Sequence, residues 1–342
     1  MPFEGILYER NPDSSTKCRL CAHYCTIKTG KRGICRVREN RDGTLYSLVY
    51  GKLVARNVDP IEKKPLYHFE PGTLSYSIAT AGCNMSCSHC QNYQISMLAS
   101  RTDPIPGQES TPNEVVSDAI RTGCSSISYT YTEPTVFMEF ARDCAAQASR
   151  AGLSNVFVTN GYMSEESAVL AGEFLEAANV DLKAATEEHY RKICGAGLQP
   201  VLDTIRTLHE AGVWIEVTTL VIPGHNDDDA SLDFIASFIA SLDSVIPWHI
   251  SRFFPTYNLQ DVPPTPIDTL EKAGRIGEEA GLKYVYLGNV QGASDETNCS
   301  SCASVLIRRT GFGVKELNIT EDGHCKSCRE PFDGVMGKPK LL

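Results

Sequence analysis

The chain has 342 residues, of which 42% are hydrophobic and 22% charged, and its formal net charge is −10. These values are typical of a folded globular protein with one large core or two smaller ones. The acidic balance argues against binding to nucleic acid or to an anionic membrane, since both need clustered lysine and arginine. No apolar run reaches the roughly 20 residues of a membrane-spanning helix, and no export signal is recognisable, which predicts a cytoplasmic protein.

The central motif is a run of three cysteines, Cys83, Cys87 and Cys90, with three and then two residues between them. It follows a predicted strand and a turn, and a loop of this length can wrap round a cuboidal iron–sulfur cluster. A [4Fe–4S] cluster is normally held by four cysteines. The next cysteine along the chain, Cys124, is not close by and lies at the start of a predicted buried strand. Three ligands leave one iron open, and an open position is typical of catalytic metal sites. A redox or zinc site is the alternative.

A second group of cysteines lies near the N-terminus, with two, three and nine residues between its members. Its members are Cys18, Cys21, Cys25 and Cys35. Four thiolates at this spacing predict either a closed tetrahedral zinc site or a second Fe–S cluster, and the sequence leaves both open. His23 could replace one of the cysteines.

A third group lies near the C-terminus and consists of two Cys-x2-Cys pairs separated by 22 residues. Its members are Cys299, Cys302, Cys325 and Cys328. Two such pairs on either side of short strands, here predicted at 304–309 and 313–319, are typical of a zinc ribbon. Rubredoxin-like iron is the alternative.

The remaining cysteines, Cys124, Cys144 and Cys194, are predicted to be thiols without function, because free cysteine packs as a small hydrophobe. The stretch 59–69 is predicted to be irregular, with Lys63 and Lys64 in a solvated turn.

Between residues 74 and 290 short β-branched runs alternate with helical patterns. Strands are predicted at 75–80, 125–131, 155–159, 179–182, 213–221, 248–254 and 283–287, and helices at 112–122, 136–151, 164–177, 201–212, 228–242 and 267–281. The acidic run 227–229 is interpreted as a helix N-terminus rather than a metal site. Alternation of this kind predicts βαβ units and a parallel sheet. The chain is therefore divided into a Cys-rich extension (1–73), an α/β domain (74–294) and a zinc-ribbon-like module (295–342).

The motif Cys83-x3-Cys87-x2-Cys90 resembles the cluster loop of the radical S-adenosylmethionine (SAM) superfamily, in which His89 occupies a usually aromatic position. Over nearly its whole length the chain resembles the radical SAM enzymes of the AmmeMemoRadiSam system, relatives of pyruvate formate-lyase activating enzymes. The resemblance implies an α/β fold with a partial (β/α)6 TIM-like barrel, whose site lies at the carboxyl ends of the strands. It also implies a [4Fe–4S] cluster and SAM as cofactors.

The resemblance assigns further residues to SAM, each near the end of a predicted strand. Glu133 matches the acidic position of a Gly-Gly-Glu-like stretch, although Tyr131 and Thr132 replace the two glycines. Similar enzymes carry an aspartate where Val158 stands, which leaves Asn160 as the polar contact after the third strand. The remaining candidates are Asp181, Lys183, His249 and Arg252. Asp181 and Lys183 share a strand face, whereas His249 and Arg252 do not, and His249 is the preferred inward residue.

These observations favour an enzyme in which one-electron reduction of SAM gives methionine and a 5′-deoxyadenosyl radical that abstracts a hydrogen atom. The resemblance implies an activase- or maturase-like reaction on a protein or peptide, with a ferredoxin or flavodoxin as electron donor. The alternative is a non-catalytic Fe–S and zinc protein that binds a partner or carries electrons. The acidic charge and the three-cysteine loop weigh against it.

Overall fold

The computed structural model describes residues 3–98, 104–290 and 294–337. Its strands are β1 (Phe3–Glu4), β2 (Tyr8–Arg10), β3 (Thr16–Cys18), β4 (Thr26–Ile27), β5 (Arg38–Arg41), β6 (Thr44–Ser47), β7 (Lys52–Pro60), β8 (Leu74–Thr80), β9 (Gln108–Glu109), β10 (Ser126–Tyr129), β11 (Ser154–Thr159), β12 (Ala177–Asp181), β13 (Trp214–Val221), β14 (Trp248–Arg252), β15 (Val285–Gly288), β16 (Ser294–Asn298), β17 (Val305–Thr310) and β18 (Gly313–Leu317). Its α-helices are α1 (Tyr93–Ser96), α2 (Pro112–Arg121), α3 (Met138–Arg150), α4 (Glu165–Gly172), α5 (Glu187–His189), α6 (Gln199–Glu210), α7 (Asp229–Leu242) and α8 (Ile267–Glu279). A π-helical turn (Tyr190–Cys194) follows α5 directly.

The central sheet has nine strands in the order β15-β14-β13-β12-β11-β10-β8-β7-β9. The seven from β8 to β15 in that order are parallel, and β7 and β9 join the far edge antiparallel. All seven predicted strands and the six predicted helices between them are present, which confirms the parallel α/β sheet. Six strand–helix units are followed by β15, and within the described residues β15 and β9 are the two edges of the sheet.

The order of the parallel strands never reverses. Right-handed crossovers then carry every connecting helix to the same face of the sheet, as in a barrel and unlike a doubly wound sheet. The opposite face carries small and polar residues, including Ser75 and Ser128, whose hydroxyl oxygens lie 2.6 Å apart. The partial (β/α)6 barrel stays a prediction for this sheet, whose described strands run in order from β15 to β9.

The connecting helices begin at side chains that satisfy their free backbone N–H groups. Thr111 and Glu114 form a capping box at α2, and Asp228 accepts a hydrogen bond from the Ser231 N–H at α7. The acidic run 227–229 is therefore a helix N-terminus, as predicted, and such caps stabilise a helix by about 1 kcal/mol. In the described part of the chain no helix is long and apolar enough to cross a bilayer.

The N-terminal extension forms two small antiparallel sheets, β1-β6-β5 and β2-β3-β4. The segment 46–54 contains the end of one strand, β6, and the beginning of another, β7. β6 pairs with β1 and β5, whereas β7 leaves the extension and pairs with β8 of the central sheet. The extension is thus joined to the first parallel strand by a continuous ladder.

The C-terminal module is a three-stranded antiparallel sheet, β16-β17-β18, in which β17 and β18 correspond to the two predicted strands. It docks on the central domain through a buried polar network. His68 contacts the Asp333 carbonyl through Nδ1 and the Tyr286 hydroxyl through Nε2, each at 2.6 Å. Arg309 is fully buried and donates from Nη2 to the Tyr67 carbonyl at 2.5 Å. These bonds fix the module against the segment that precedes β8.

This docking network predicts a loss of stability in acid. Burial lowers the pKa of His68 to about 4, whereas histidine in an unfolded chain titrates near 6.5. Between these pH values His68 is protonated in the unfolded chain but neutral in the folded one. The free energy of unfolding should therefore fall by up to about 3 kcal/mol as the pH falls from about 6.5 to 4. Denaturant titrations at several pH values measure this slope. His68→Phe should make the slope shallower, and an unchanged slope would contradict the assignment.

Candidate active site and metal centres

The three-cysteine loop follows the carboxyl end of β8, the strand at which the parallel part of the sheet meets the antiparallel part. Its backbone is held by the π-helical turn, because the Ser86 N–H donates to the Cys194 carbonyl at 2.8 Å and the Ser88 N–H to the Ile193 carbonyl at 2.9 Å. The Ser88 carbonyl in turn accepts from the Asn258 N–H at 3.0 Å. The loop is thus fixed by residues more than 100 positions away in the sequence.

Gly195 closes this clamp. It has a φ of +68°, and a Cβ atom there would collide with the Ser86 Oγ. We expect Gly195→Ala to displace the cluster loop, because alanine resists a left-handed conformation and has no room. The variant should hold less iron after anaerobic reconstitution than the wild type. Gly212→Ala, at an equally positive φ with open space around it, is the control for backbone strain alone, and equal iron loss in both would refute the clamp.

The sulfur atoms of the loop accept hydrogen bonds from their surroundings. The Cys83 Sγ lies 3.4 Å from the Met85 N and 3.6 Å from the Asn160 Nδ2. Cys87 shares a hydrogen bond with the buried thiol of Cys194, which lowers the pKa of Cys87. Hydrogen bonds to the sulfurs tune the potential of Fe–S clusters.

The sulfurs of the loop are not gathered as a single tetrahedral ion requires. In a tetrahedral zinc site with Zn–S bonds of 2.3 Å, the sulfurs lie about 3.8 Å apart. Among the described residues only the C-terminal quartet brings three or more ligand atoms within 4.8 Å of one another. Cys83, Cys87 and Cys90 do not, as expected where each thiolate binds a different iron of a cuboidal cluster.

Cys194 was predicted to be a thiol without function, and this interpretation needs correction. It is completely buried as expected, but its thiol touches Cys87 and its carbonyl anchors Ser86. The sequence offered no signal for this, because the contact joins positions 107 residues apart.

Glu133 lies after β10, where its carboxylate is buried and ties the ends of two strands together. Its Oε1 accepts from the hydroxyls of Thr135 and Thr159 at 2.6 and 2.7 Å, and its Oε2 accepts from the Asn160 N–H at 2.8 Å. Burial raises the pKa of Glu133 while these bonds oppose the rise. Because a carboxylate offers about four acceptor positions, Oε2 keeps a free lone pair for an incoming cation.

Asn160 lies between this carboxylate and the cluster loop. Its Nδ2 donates to the Asn84 Oδ1 at 2.8 Å and points at the Cys83 sulfur, while its Oδ1 accepts from the Tyr162 N–H at 2.9 Å. The side chain is thus already engaged in positioning the loop, and contact with SAM stays a prediction for it.

Tyr131 takes the place of a family glycine by adopting the backbone conformation that glycine favours. Its φ is +61°, and its carbonyl accepts from the Asn92 Nδ2 at 2.7 Å. Its hydroxyl donates to Asp59, which also pairs with Lys64 at 2.7 Å.

Lys64 is buried, with Nζ 4.6 Å from the Tyr131 ring centre. The prediction of a solvated lysine turn is therefore wrong for Lys64, although the Lys63 side chain is 45% exposed.

Asp181 and Lys183 meet at the end of β12, as their spacing predicts. The Lys183 Nζ lies 2.7 Å from the Asp181 Oδ2. Burial alone would lower the pKa of Lys183, but Asp181 and the nearby Cys87 raise it well above its usual range. Lys183 is therefore a cation beside the cluster loop, which suits the binding of a carboxylate.

His89 is buried beside the same lysine. Burial and the nearby Lys183 lower its pKa to about 3, so the ring is neutral at pH 7. Its Nδ1 is buried and has no hydrogen-bond partner within the described ranges. An unpartnered buried nitrogen costs free energy unless a ligand satisfies it.

The two candidates on β14 lie in different surroundings. His249 is buried, with Nε2 2.6 Å from the Glu216 Oε2, and its ring contacts those of Tyr67 and Tyr286. Arg252, at the end of the strand, donates from Nε to the Thr265 carbonyl at 2.7 Å. A SAM contact stays a prediction for both residues.

The C-terminal quartet has the geometry of a single tetrahedral ion. The sulfurs of Cys299 and Cys328 lie 3.6 Å apart and those of Cys302 and Cys325 lie 3.8 Å apart. Hydrogen bonds from Ser304 lower the pKa of Cys302 to about 6, which favours the thiolate that binds metal. The predicted cysteine group is thus assembled, with zinc as the proposed ion.

The N-terminal quartet is assembled differently. Cys18, Cys21, Cys25 and Cys35 line one cavity together with His23. No three of the ligand atoms lie within 4.8 Å of one another in the described chain. Burial raises the pKa of Cys18, Cys21 and Cys35, so a metal must displace their protons on binding.

Comparison with known proteins agrees with this site. Residues 77–235, which contain the cluster loop and the ends of β8 to β13, match the model of the radical SAM superfamily. The uncharacterized protein MJ0808 of Methanocaldococcus jannaschii is 46% identical over 336 residues, which cover 97% of this chain and 99% of that protein. The chain belongs to the radical SAM superfamily.

Within that superfamily the chain is homologous to activating enzymes. Pyruvate formate-lyase 1-activating enzyme of Escherichia coli is 23% identical over 225 residues, covering 60% of this chain and 89% of that enzyme. Benzylsuccinate synthase activating enzyme of Thauera aromatica is 25% identical over 146 residues, covering 40% of this chain and 43% of that enzyme. A radical SAM methyltransferase from Sphaerobacter thermophilus shares the fold at 16% identity and a TM-score of 0.52, covering 64% of this chain and 67% of that one.

Proposed function

We propose that the protein is a radical SAM enzyme whose [4Fe–4S] cluster is held by Cys83, Cys87 and Cys90. When bound, the cluster and SAM supply reductive cleavage to methionine and a 5′-deoxyadenosyl radical, which abstracts a hydrogen atom from the substrate. The observation that carries the proposal is a three-cysteine loop at the carboxyl end of the first parallel strand, with a backbone clamped by the π-helical turn.

The chain's own residues have distinct roles in this proposal. Lys183 neutralises the carboxylate of SAM, and the free lone pair of the Glu133 Oε2 accepts from its ammonium group. The neutral His89 ring lies against SAM, and SAM provides a hydrogen-bond partner for its buried Nδ1. Asn160 orients Cys83. His249 and Arg252 complete the proposed set, with Asp181 holding Lys183 in place.

We infer a protein or peptide substrate. Two relatives are named as enzymes that activate other enzymes, pyruvate formate-lyase and benzylsuccinate synthase, and this supports an activase- or maturase-like reaction. A one-electron donor of the ferredoxin or flavodoxin class completes the partners. No disulfide joins the cysteines in the described part of the chain, which suits a reducing compartment such as the cytoplasm.

The test is anaerobic reconstitution with iron and sulfide, followed by reduction in the presence of SAM. The proposal expects 5′-deoxyadenosine and methionine in equal amounts, measured by chromatography. An intact cluster that reduces and reoxidises but cleaves no SAM would instead favour the second candidate, a non-catalytic binding or electron-transfer protein.

The C-terminal quartet is proposed to hold zinc. Its sulfurs lie as close together as the ligands of one tetrahedral ion do, which supports this proposal. Its distance in sequence from the cluster loop suits a structural role. Metal analysis of protein purified without added zinc distinguishes it from rubredoxin-like iron, which would colour the protein even when both clusters are absent.

A further inference from the structure

The N-terminal quartet encloses a cavity that the proposed SAM chemistry does not use. The cavity is small, about 10 Å³ in volume. Its wall is otherwise mostly apolar, from Leu20, Ile27, Ile34 and Val136. Three of its four cysteines accept a hydrogen bond from a backbone N–H two residues later, as Cys18 does from Leu20 and Cys35 from Val37. Such bonds favour thiolates that bind a metal.

The spacing of the sulfurs separates this quartet from the C-terminal one. In the same molecule, the C-terminal sulfurs are gathered as a single zinc ion requires, and the N-terminal sulfurs are not. Neither the N-terminal quartet nor Cys83, Cys87 and Cys90 brings three sulfurs within 4.8 Å of one another in the described chain. Four thiolates that line one cavity without converging on one point fit a cluster in which each binds a different iron.

Arg38 is a second, independent sign of a ligand in this cavity. Arg38 is one of the residues that line the cavity, and it is 1% exposed. The Nη2 pairs with Glu139 at 2.5 Å, but Nε and Nη1 are buried and have no hydrogen-bond partner among the described residues. Unpartnered buried N–H groups are costly, and a cluster with four thiolates carries net negative charge.

The cavity lies directly against the SAM cluster loop. The His23 Nε2, on its wall, is 2.7 Å from the carbonyl oxygen of Asn84, the residue after Cys83. On the other side, a Cβ atom at Gly82 would lie 3.0 Å from the Cys35 carbonyl oxygen. A ligand of one site therefore touches the residue before a ligand of the other, with no intervening layer of protein.

We propose that Cys18, Cys21, Cys25 and Cys35 bind a second iron–sulfur cluster, which passes electrons to the SAM cluster. The binding part stands on the N-terminal geometry alone, whereas the electron-transfer part rests on the proposed function. One electron leaves the reduced second cluster, which returns to its oxidised state, and enters the SAM cluster. A donor of the ferredoxin or flavodoxin class then restores the electron.

The binding part is tested in a variant without the SAM cluster, Cys83→Ala/Cys87→Ala/Cys90→Ala, reconstituted with iron and sulfide in the full-length chain. We expect iron and sulfide in equal amounts, one zinc, and the Mössbauer and EPR spectra of a cluster. Two zinc ions without iron, or iron without sulfide, would overturn the proposal. The reciprocal variant Cys21→Ala/Cys25→Ala should lose this iron and keep the iron of the SAM cluster and the C-terminal zinc. This test involves no SAM cleavage, so the proposed function can fail while the second cluster stands.

The electron-transfer part is tested by stopped-flow reduction with a reduced flavodoxin. In Cys21→Ala/Cys25→Ala we expect the SAM cluster to be reduced at least tenfold more slowly than in the wild type. Cys124→Ala is the matched control, because this buried cysteine lies before β10, at the other end of the strand from the cluster loop. Equal rates in the wild type and the double variant would refute the electron path while leaving the binding result intact.

Discussion

Cys87→Ala should abolish SAM cleavage and lower the iron content, while the C-terminal zinc is retained. Cys87 is the middle ligand of the loop and the one whose sulfur meets both Cys194 and the field of Lys183. Without it two thiolates remain for the cluster, and we expect the rate of 5′-deoxyadenosine formation to fall by at least 1000-fold, about 4 kcal/mol in activation free energy. The measurement is product formation per protein after anaerobic reconstitution.

Cys124→Ala serves as the control for this variant, because it removes a buried thiol that lies at the amino end of β10. It should retain wild-type iron and turnover. Turnover that survives in Cys87→Ala would refute the assignment of the loop. Loss of zinc together with iron would show instead that the variant no longer folds.

Cys325→Ala should unfold the C-terminal module and leave the central sheet folded. Cys325 is buried and opposes Cys302 across the proposed ion. A closed four-cysteine zinc site contributes on the order of 10 kcal/mol to folding, and the small core of this module, formed by residues such as Leu306, Ile307 and Phe332, does not replace that. Hydrogen exchange over residues 294–337 should rise to the rate of an open chain, and bound zinc should fall by one equivalent.

Glu321→Ala is the matched control within this module, since it removes an exposed charged side chain and touches no cysteine. Protection from exchange should stay at the wild-type level there. If Cys325→Ala also keeps its protection, the module is held by packing and docking alone, and the structural role of the ion is wrong.

Much of the fold could be predicted because its signals are local. Strand and helix periodicity, Thr111 before Pro112, and the acidic run that caps α7 all depend on residues within a few positions of one another. The three cysteine groups are equally local, and each was recognised from spacing alone. What the spacing could not give is how far apart the sulfurs lie, and this separates the C-terminal quartet from the N-terminal one.

The parts of the site that the sequence did not reveal are contacts between distant segments. Cys194 was interpreted as an inert core thiol because nothing near it in the chain suggests a cluster. Lys64 was placed in solvent because its neighbours are polar, although Asp59 and Tyr131 enclose it. Arg38 gave no signal at all. In each case the chemistry depends on a partner supplied by another strand or loop, which periodicity does not encode.

The docking of the C-terminal module has a consequence for how this protein can vary. A chain shortened after residue 290 would remove the Asp333 carbonyl from His68 and the Thr297 hydroxyl from Tyr286. The C-terminal module therefore depends on matching residues in the central domain. Recombination between relatives would have to transfer residues 67 and 68 along with it, so that both halves of the joint come from one parent.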